Sequence, residues 1–203
     1  MYARWGKAML DRGVAALVLV FGAPIFALLA LAVFLVLGRP ILFCQGRAGH
    51  HGAPFTLLKF RSMREGNAPD AMRLGGFGRW IRAYGLDELP QMINILRGDM
   101  ALVGPRPLPC HYTPLLTAYQ ARRLWVKPGL LGLAQASGRN ALPWDARFAY
   151  DIQYAQQNIE FTKDLKLILA CCALVLRGQG ATMPGHVTSI SLGENERQNT
   201  ING

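Results

Sequence analysis

Residues Val14 to Leu37 carry no charged side chain. As a straight helix this run would be about 36 Å long, more than the roughly 30 Å of a bilayer's hydrocarbon core. No other stretch restricts the fold so strongly. It is too long for a secretory h-region, and no Ala-x-Ala-like site follows it, so a cleaved signal peptide is not expected. Gly22-Ala23-Pro24 interrupts it near the middle. Pro24 removes one helical hydrogen bond and crowds the carbonyl four residues back, so a kink or break is expected there. The flanks are basic on both sides: Arg4, Lys7 and Arg12 before, Arg39, Arg47, Lys59, Arg61 and Arg64 after. A spanning helix usually shows positive charge on one side. Two readings stay open from the run itself: a kinked span, or a re-entrant helix-break-helix with both ends on the cytoplasmic side.

The remaining chain is long enough for one small core. The protein has 203 residues with 22 basic and 12 acidic side chains, a formal charge of +10, and is 51% hydrophobic. Its mean hydropathy is +0.18. So apolar and so basic a chain fits a membrane surface better than nucleic acid, for which no recognised module is present. Cys44, Cys110, Cys171 and Cys172 lack metal-ligand spacing and read as small buried or lipid-facing residues of a reducing compartment, not a disulfide frame.

Past the run, Ile41-Leu42-Phe43 and Phe55 to Arg61 read as two strands of a hairpin around a glycine-rich turn containing His50-His51. The two histidines are turn residues rather than metal ligands. Lys59 and Arg61 alternate and so share a face, either an anion site or, on local grounds, a solvated edge. Gly75 to Tyr84 is basic and aromatic, with Trp80 and Tyr84 placed to anchor at a headgroup surface and no phosphate-loop pattern. Leu89, Met92, Ile93 and Leu96 form an apolar stripe. That stripe predicts a helix with Asp87 as N-cap, Glu88 and Pro90 in its first turn, and Arg97-Gly98 at its end. Locally, two acids at a helix mouth need do no more than cap it. A short strand follows, then Arg106 between two prolines. Thr113-Pro114 predicts a helix to about Leu124, Leu130 to Ala136 is extended, and Pro143 to Asn158 and Thr162 to Arg177 are helices. The aromatics Trp144, Phe148, Tyr150 and Tyr154 read as packing.

Four blocks occur in order: Lys59-Phe60-Arg61-Ser62-Met63; Leu86-Asp87-Glu88-Leu89-Pro90-Gln91; Gly98-Asp99-Met100 through Gly104-Pro105-Arg106-Pro107; and Pro128 to Gln135 with Gly138-Arg139-Asn140. Together they resemble the bacterial sugar transferases, specifically the small monotopic phosphoglycosyl transferases of the bacillosamine-phosphate-transferase type. Ala23 and Ala136-Ser137 depart from the usual pattern.

The resemblance implies an α/β, mainly helical fold. Residues 1–39 would form a basic N-terminus and a re-entrant membrane helix broken at Pro24. Residues 40–178 would form a cytosolic catalytic domain with short strands and interfacial helices, and 179–203 a tail. It further implies a reaction: a sugar-1-phosphate, first of all that of an N-acetylated aminosugar, passes from a UDP-sugar to polyprenyl phosphate. UMP is released, an aspartyl-phosphosugar intermediate forms, and Mg2+ takes part, at the bacterial inner membrane and upstream of further glycosyltransferases. By motif match Asp87 is the nucleophile and Glu88 its partner in metal binding or positioning. Arg82 would bind lipid phosphate and Arg106 would clamp phosphate oxygens, while Lys59, Gln135, Arg139 and Asn140 are candidates for the nucleotide-sugar. A hexose-1-phosphate transferase and a non-catalytic protein that binds anionic lipid are the alternatives.

Overall fold

A break after Phe21 turns the apolar run into two helices, α1 (Lys7–Phe21) and α2 (Ala23–Leu37), bent by 67°. Pro24 sits in the first turn of α2, where an amide has no helical partner to lose. The computed structural model describes residues 2–138 and 142–177. Within them no single helix is long and apolar enough to cross a membrane, whereas the bent pair together is.

Both outer ends of the pair are tied to the same globular part. At the start, Lys7 Nζ donates to Asp164 Oδ2 at 2.7 Å. At the end, the buried Arg61 guanidinium donates to the carbonyls of Leu37 and Arg39, the latter at 3.0 Å. It thereby satisfies groups that the end of α2 leaves without helical partners. One side of α1 packs into the main core: Ala15 is fully buried with Met92, Ile95, Met100, Leu102, Val103 and Tyr154. The buried side of α2, Leu29 and Val33, packs on Phe60. Phe26, Ala30 and Leu37 pack partly buried against them, whereas Leu28, Leu31 and Leu35 are exposed.

The hairpin forms as expected, although its strands run further. β1 (Leu42–Ala48) pairs antiparallel with β2 (Pro54–Phe60), Leu42 opposite Phe60 and Ala48 opposite Pro54. His50 and His51 occupy the turn, and among the described residues no cluster of metal-ligating side chains exists. A short α3 (Asp70–Arg73) leads to α4 (Gly76–Ala83), on which Trp80 is half-exposed, with Tyr84 just beyond its end also exposed.

The helix containing the acidic pair begins later than the sequence implies. Asp87 is not an N-cap: Leu86–Glu88 form a 3-10 turn, and α5 (Gln91–Arg97) starts after Pro90. Gly85, at φ 64°, supplies the left-handed step that turns the chain between α4 and this turn. The stripe is also rotated. Met92 and Ile95 face the core, whereas Leu96 is exposed. Asn94 sets this orientation. Fully buried, it accepts from Leu58 N (3.1 Å) and donates to Thr56 O (2.7 Å), fastening α5 to β2. Gly98 closes the helix as expected.

β3 (Ala101–Val103) pairs in parallel with β4 (Gly129–Leu131). Just beyond, Gly104 and Gly129 bring two backbones so close that a Cβ on either would strike the other chain. Between these strands the single helix expected over 113–124 is instead two 3-10 segments, Cys110–Leu115 and Gln120–Trp125. Pro114 lies inside the first. Thr117 and Gln120 bond each other's amides across the break (3.0 and 3.2 Å), giving the backbone partners outside an α-helix. The extended reading of 130–136 holds only to Leu131, because α6 (Leu133–Ala136) follows. α7 (Trp144–Gln156) and α8 (Phe161–Leu176) match expectation, with Phe148 and Tyr154 buried.

Candidate active site

Three separate segments bring charge to one place. β2 delivers Lys59, the turn after α4 delivers Asp87 and Glu88, and the proline-braced loop after β3 delivers Arg106. Glu88 is their common partner: Lys59 Nζ donates to its Oε1 at 2.9 Å, while Arg106 donates through Nη2 to Oε1 (2.5 Å) and Nη1 to Oε2 (3.2 Å). The arginine fork on a carboxylate fixes angle as well as distance. Lys59 and Arg61 therefore do not share a solvated edge: Lys59 faces Glu88, and Arg61 serves the end of α2.

The two adjacent carboxylates are in opposite electrostatic states. Burial raises the Glu88 pKa, but the Arg106 and Lys59 charges outweigh it and hold the carboxyl well below its usual range. Asp87 is buried and, among the described residues, has no hydrogen bond or ion pair. Its burial, then the neighbouring Glu88 charge, push its pKa up to about 6; Lys59, Arg82 and Arg106 only partly oppose this. Asp87 is thus an ionisable carboxylate with no hydrogen-bond partner among the described residues, acted on by the charges of Lys59, Arg82 and Arg106. Burial lowers the Lys59 pKa despite its carboxylate partner.

Arg82, at the end of α4, donates from Nε to Ser62 Oγ at 2.7 Å, and Asp87 is the leading charge acting on it. Gln135 lies on α6, donates to Leu130 O at 2.8 Å, and leaves its Oε1 buried without a partner among the described residues. Arg139 and Asn140 lie outside the described residues. Arg123 and Asp151, which were not singled out in the sequence, are both buried and pair directly behind Arg106. Their sequence signal is slight: one stands beside Arg122 in a basic stretch, the other among polar positions of an aromatic helix.

Among the described residues no three metal-ligating side chains converge. Mg2+ does not need three, since it takes one or two protein carboxylates and completes its shell with water and substrate phosphates. Asp87 and Glu88 fit that donor set. Asp87 would contribute oxygens that have no partner among the described residues, and Glu88 would exchange one contact to Lys59 or Arg106.

A family model described as bacterial sugar transferase matches residues 2–178. The sugar transferase EpsL of Bacillus subtilis is 46% identical over 86% of this chain and 90% of its own length. The UDP-glucose:undecaprenyl-phosphate glucose-1-phosphate transferase of Caulobacter vibrioides is 42% identical over 80% of this chain and 67% of its own. The undecaprenyl-phosphate galactose phosphotransferase of Salmonella typhimurium is 35% identical over 71% of this chain, which spans only 35% of that longer protein. A match that runs from the first helix through α8 takes in the bent helix pair and the acid dyad alike, and on it the chain belongs to the bacterial sugar transferase family.

Proposed function

We propose that this protein moves a sugar-1-phosphate from a UDP-sugar to undecaprenyl phosphate, releasing UMP. The observation that carries this reading is the Asp87 carboxylate, buried and without a hydrogen bond among the described residues, beside a Glu88 that holds Lys59 and Arg106. A diphosphate repels an anionic nucleophile, and a site that attacks it must supply positive charge first. Here Lys59, Arg82 and Arg106 act on Asp87.

In the first step an Asp87 oxygen forms a bond to the sugar-bearing phosphorus, and the bond from that phosphorus to the bridging oxygen breaks. UMP leaves with the electron pair. In the second step an oxygen of undecaprenyl phosphate attacks the same phosphorus. The Asp87–phosphorus bond breaks, giving undecaprenyl-diphosphate-sugar and the free carboxylate. Arg106 orients phosphate oxygens, Arg82 receives the lipid phosphate, and Lys59 and Gln135, with Arg139 and Asn140, serve the nucleotide-sugar. Mg2+ at the acid pair would offset phosphate charge. Two of the three relatives are named for glucose and galactose, which favours a hexose over the N-acetylated aminosugar.

The membrane reading that goes with this is re-entrant, at the cytoplasmic face of the inner membrane. A 67° bend, with Lys7 and Leu37 tied to the same globular part, supports it.

The test is UMP release with undecaprenyl phosphate and Mg2+ from UDP-glucose, UDP-galactose and their N-acetylated counterparts. Native chain and Asp87→Asn are compared, free of host transferase. Release from one donor by the native chain alone is expected, with up to one UMP per protein before lipid is added. Equal release by both chains overturns the role of Asp87.

A further inference from the structure

Four consecutive carbonyls carry the chain past the acid dyad, and every one is held. Pro105 O accepts from Gly129 N at 2.9 Å, and Leu108 O from Ala48 N at 2.9 Å. Between them Arg106 O accepts from Arg123 Nη2 at 2.6 Å and Pro107 O from Arg47 Nη1 at 2.9 Å. Prolines at 105, 107 and 109 have no N–H to offer, so the loop is fixed through its carbonyls. Two of the four donors are arginine side chains.

Arg123 is the more constrained of the two. It is buried, its Nε and Nη2 both donate to Asp151 Oδ2 (3.1 and 2.5 Å), and its guanidinium lies over the Phe148 ring. Asp151 is buried on α7. The Arg106 backbone is therefore tied to α7 by a route separate from Glu88. A buried ion pair adds little stability over apolar side chains of the same volume, so stability alone gives no account of one placed behind Arg106.

We propose that Arg123, locked on Asp151, is a positioning residue for the transfer reaction: through the Arg106 carbonyl it sets where the Arg106 guanidinium meets Glu88 and the donor phosphates. The phosphate half of this rests on the function proposed above; the Arg106–Glu88 half does not. A lysine at 123 keeps the charge but lacks the planar fork, and so cannot hold Asp151 and the carbonyl together at these angles.

The experiment is a double-mutant cycle of Arg123→Lys with Arg106→Lys on the full-length chain in lipid nanodiscs. It is read by kcat/KM for the UDP-sugar and by the Arg106 side-chain 15Nε–1H resonance, assigned by its loss in Arg106→Lys. Tyr2→Phe, which loses a hydroxyl contact to Asp164 on α8, serves as a control for general destabilisation. Arg123→Lys is expected to lower kcat/KM roughly tenfold when Arg106 is present and less than about twofold when it is lysine. The Arg106 resonance should shift in Arg123→Lys and stay put in Tyr2→Phe. Equal losses in both Arg106 backgrounds, or an unmoved resonance, overturn the proposal. A native chain that transfers nothing from any UDP-sugar while the resonance still shifts refutes the transferase reading and the phosphate half of the proposal, and leaves only the Arg106–Glu88 half standing. If Arg123→Lys does not fold, Asp151→Asn, which keeps the side-chain shape, takes its place in the same cycle.

Discussion

Replacing Glu88 by glutamine tests the centre of the charge cluster. The amide preserves shape but removes the charge that accepts from Lys59 at 2.9 Å and from Arg106 at 2.5 and 3.2 Å. The Glu88 and Lys59 side chains are 18% and 16% exposed, so solvent screens their pair poorly; Arg106, 43% exposed, is screened more. Removing one partner of a buried pair costs about 3–5 kcal/mol. Discounting the Arg106 part leaves about 3 kcal/mol, a fall in Tm on the order of 6–12 °C for a chain of this size. The pH dependence has a definite sign. The folded-state pKa of Glu88 lies below its ordinary 4.5. Its stabilisation is therefore complete above that value and is lost as pH falls through the folded pKa. Urea unfolding followed by tryptophan fluorescence, in detergent with EDTA, measures the gap at pH 7 and again at pH 3. A gap below about 1 kcal/mol at pH 7, or one that does not shrink on acidification, refutes the reasoning.

Asp87→Asn should do the reverse. A folded pKa of about 6 against an ordinary 3.8 means that the ionised carboxylate costs stability, with the relative benefit of the protonated form fading as pH rises through 6. The variant is expected to be more stable than the native chain by roughly 1–3 kcal/mol at pH 7 in EDTA and equal to it below pH 3.8. Arg61→Met strips two carbonyls at the end of α2 and beyond it of their donor. A loss of about 1–3 kcal/mol and faster proteolysis near Gly38 are expected, and native-like proteolysis would count against that role. A tag at Met1 and a protease site near Arg64 should be cleaved from the same side of sealed inside-out vesicles; opposite sides would exclude re-entry.

How far the sequence carried depended on the range of the interaction. The break at Gly22–Pro24, the hairpin, α7 and α8 follow from local proline, glycine and hydropathy signals, and the structure contains all of them. The acid pair was legible as a motif, but its chemistry was not. That Glu88 is ion-paired while Asp87 is not depends on Lys59 and Arg106, which arrive from other segments. The rotation of α5 was missed because Asn94, a polar residue that periodicity assigns to solvent, is buried by its bonds to β2. The helix expected at 113–124 failed because Thr117 and Gln120 offer the backbone competing partners. Arg123 and Asp151 have no local signal, since their pairing exists only once α7 packs behind the loop.

The packing of α1 divides a stretch that hydropathy treats as uniform into two regimes of sequence drift. Val14, Ala15, Val18 and Leu19 pack in the same core as Met92 and Ile95, whereas Leu17, Val20 and Phe21 are exposed. On the exposed side, which the proposed re-entrant placement puts against lipid, one apolar side chain should replace another freely, because lipid asks only for hydrophobicity. On the packed side volume is fixed: Ala15, with no exposed surface, admits nothing larger without an overpacking cost of about 1–3 kcal/mol. A saturation scan of this helix would therefore show tolerance rising and falling once per helical turn, the mark of a segment that serves partly as protein interior.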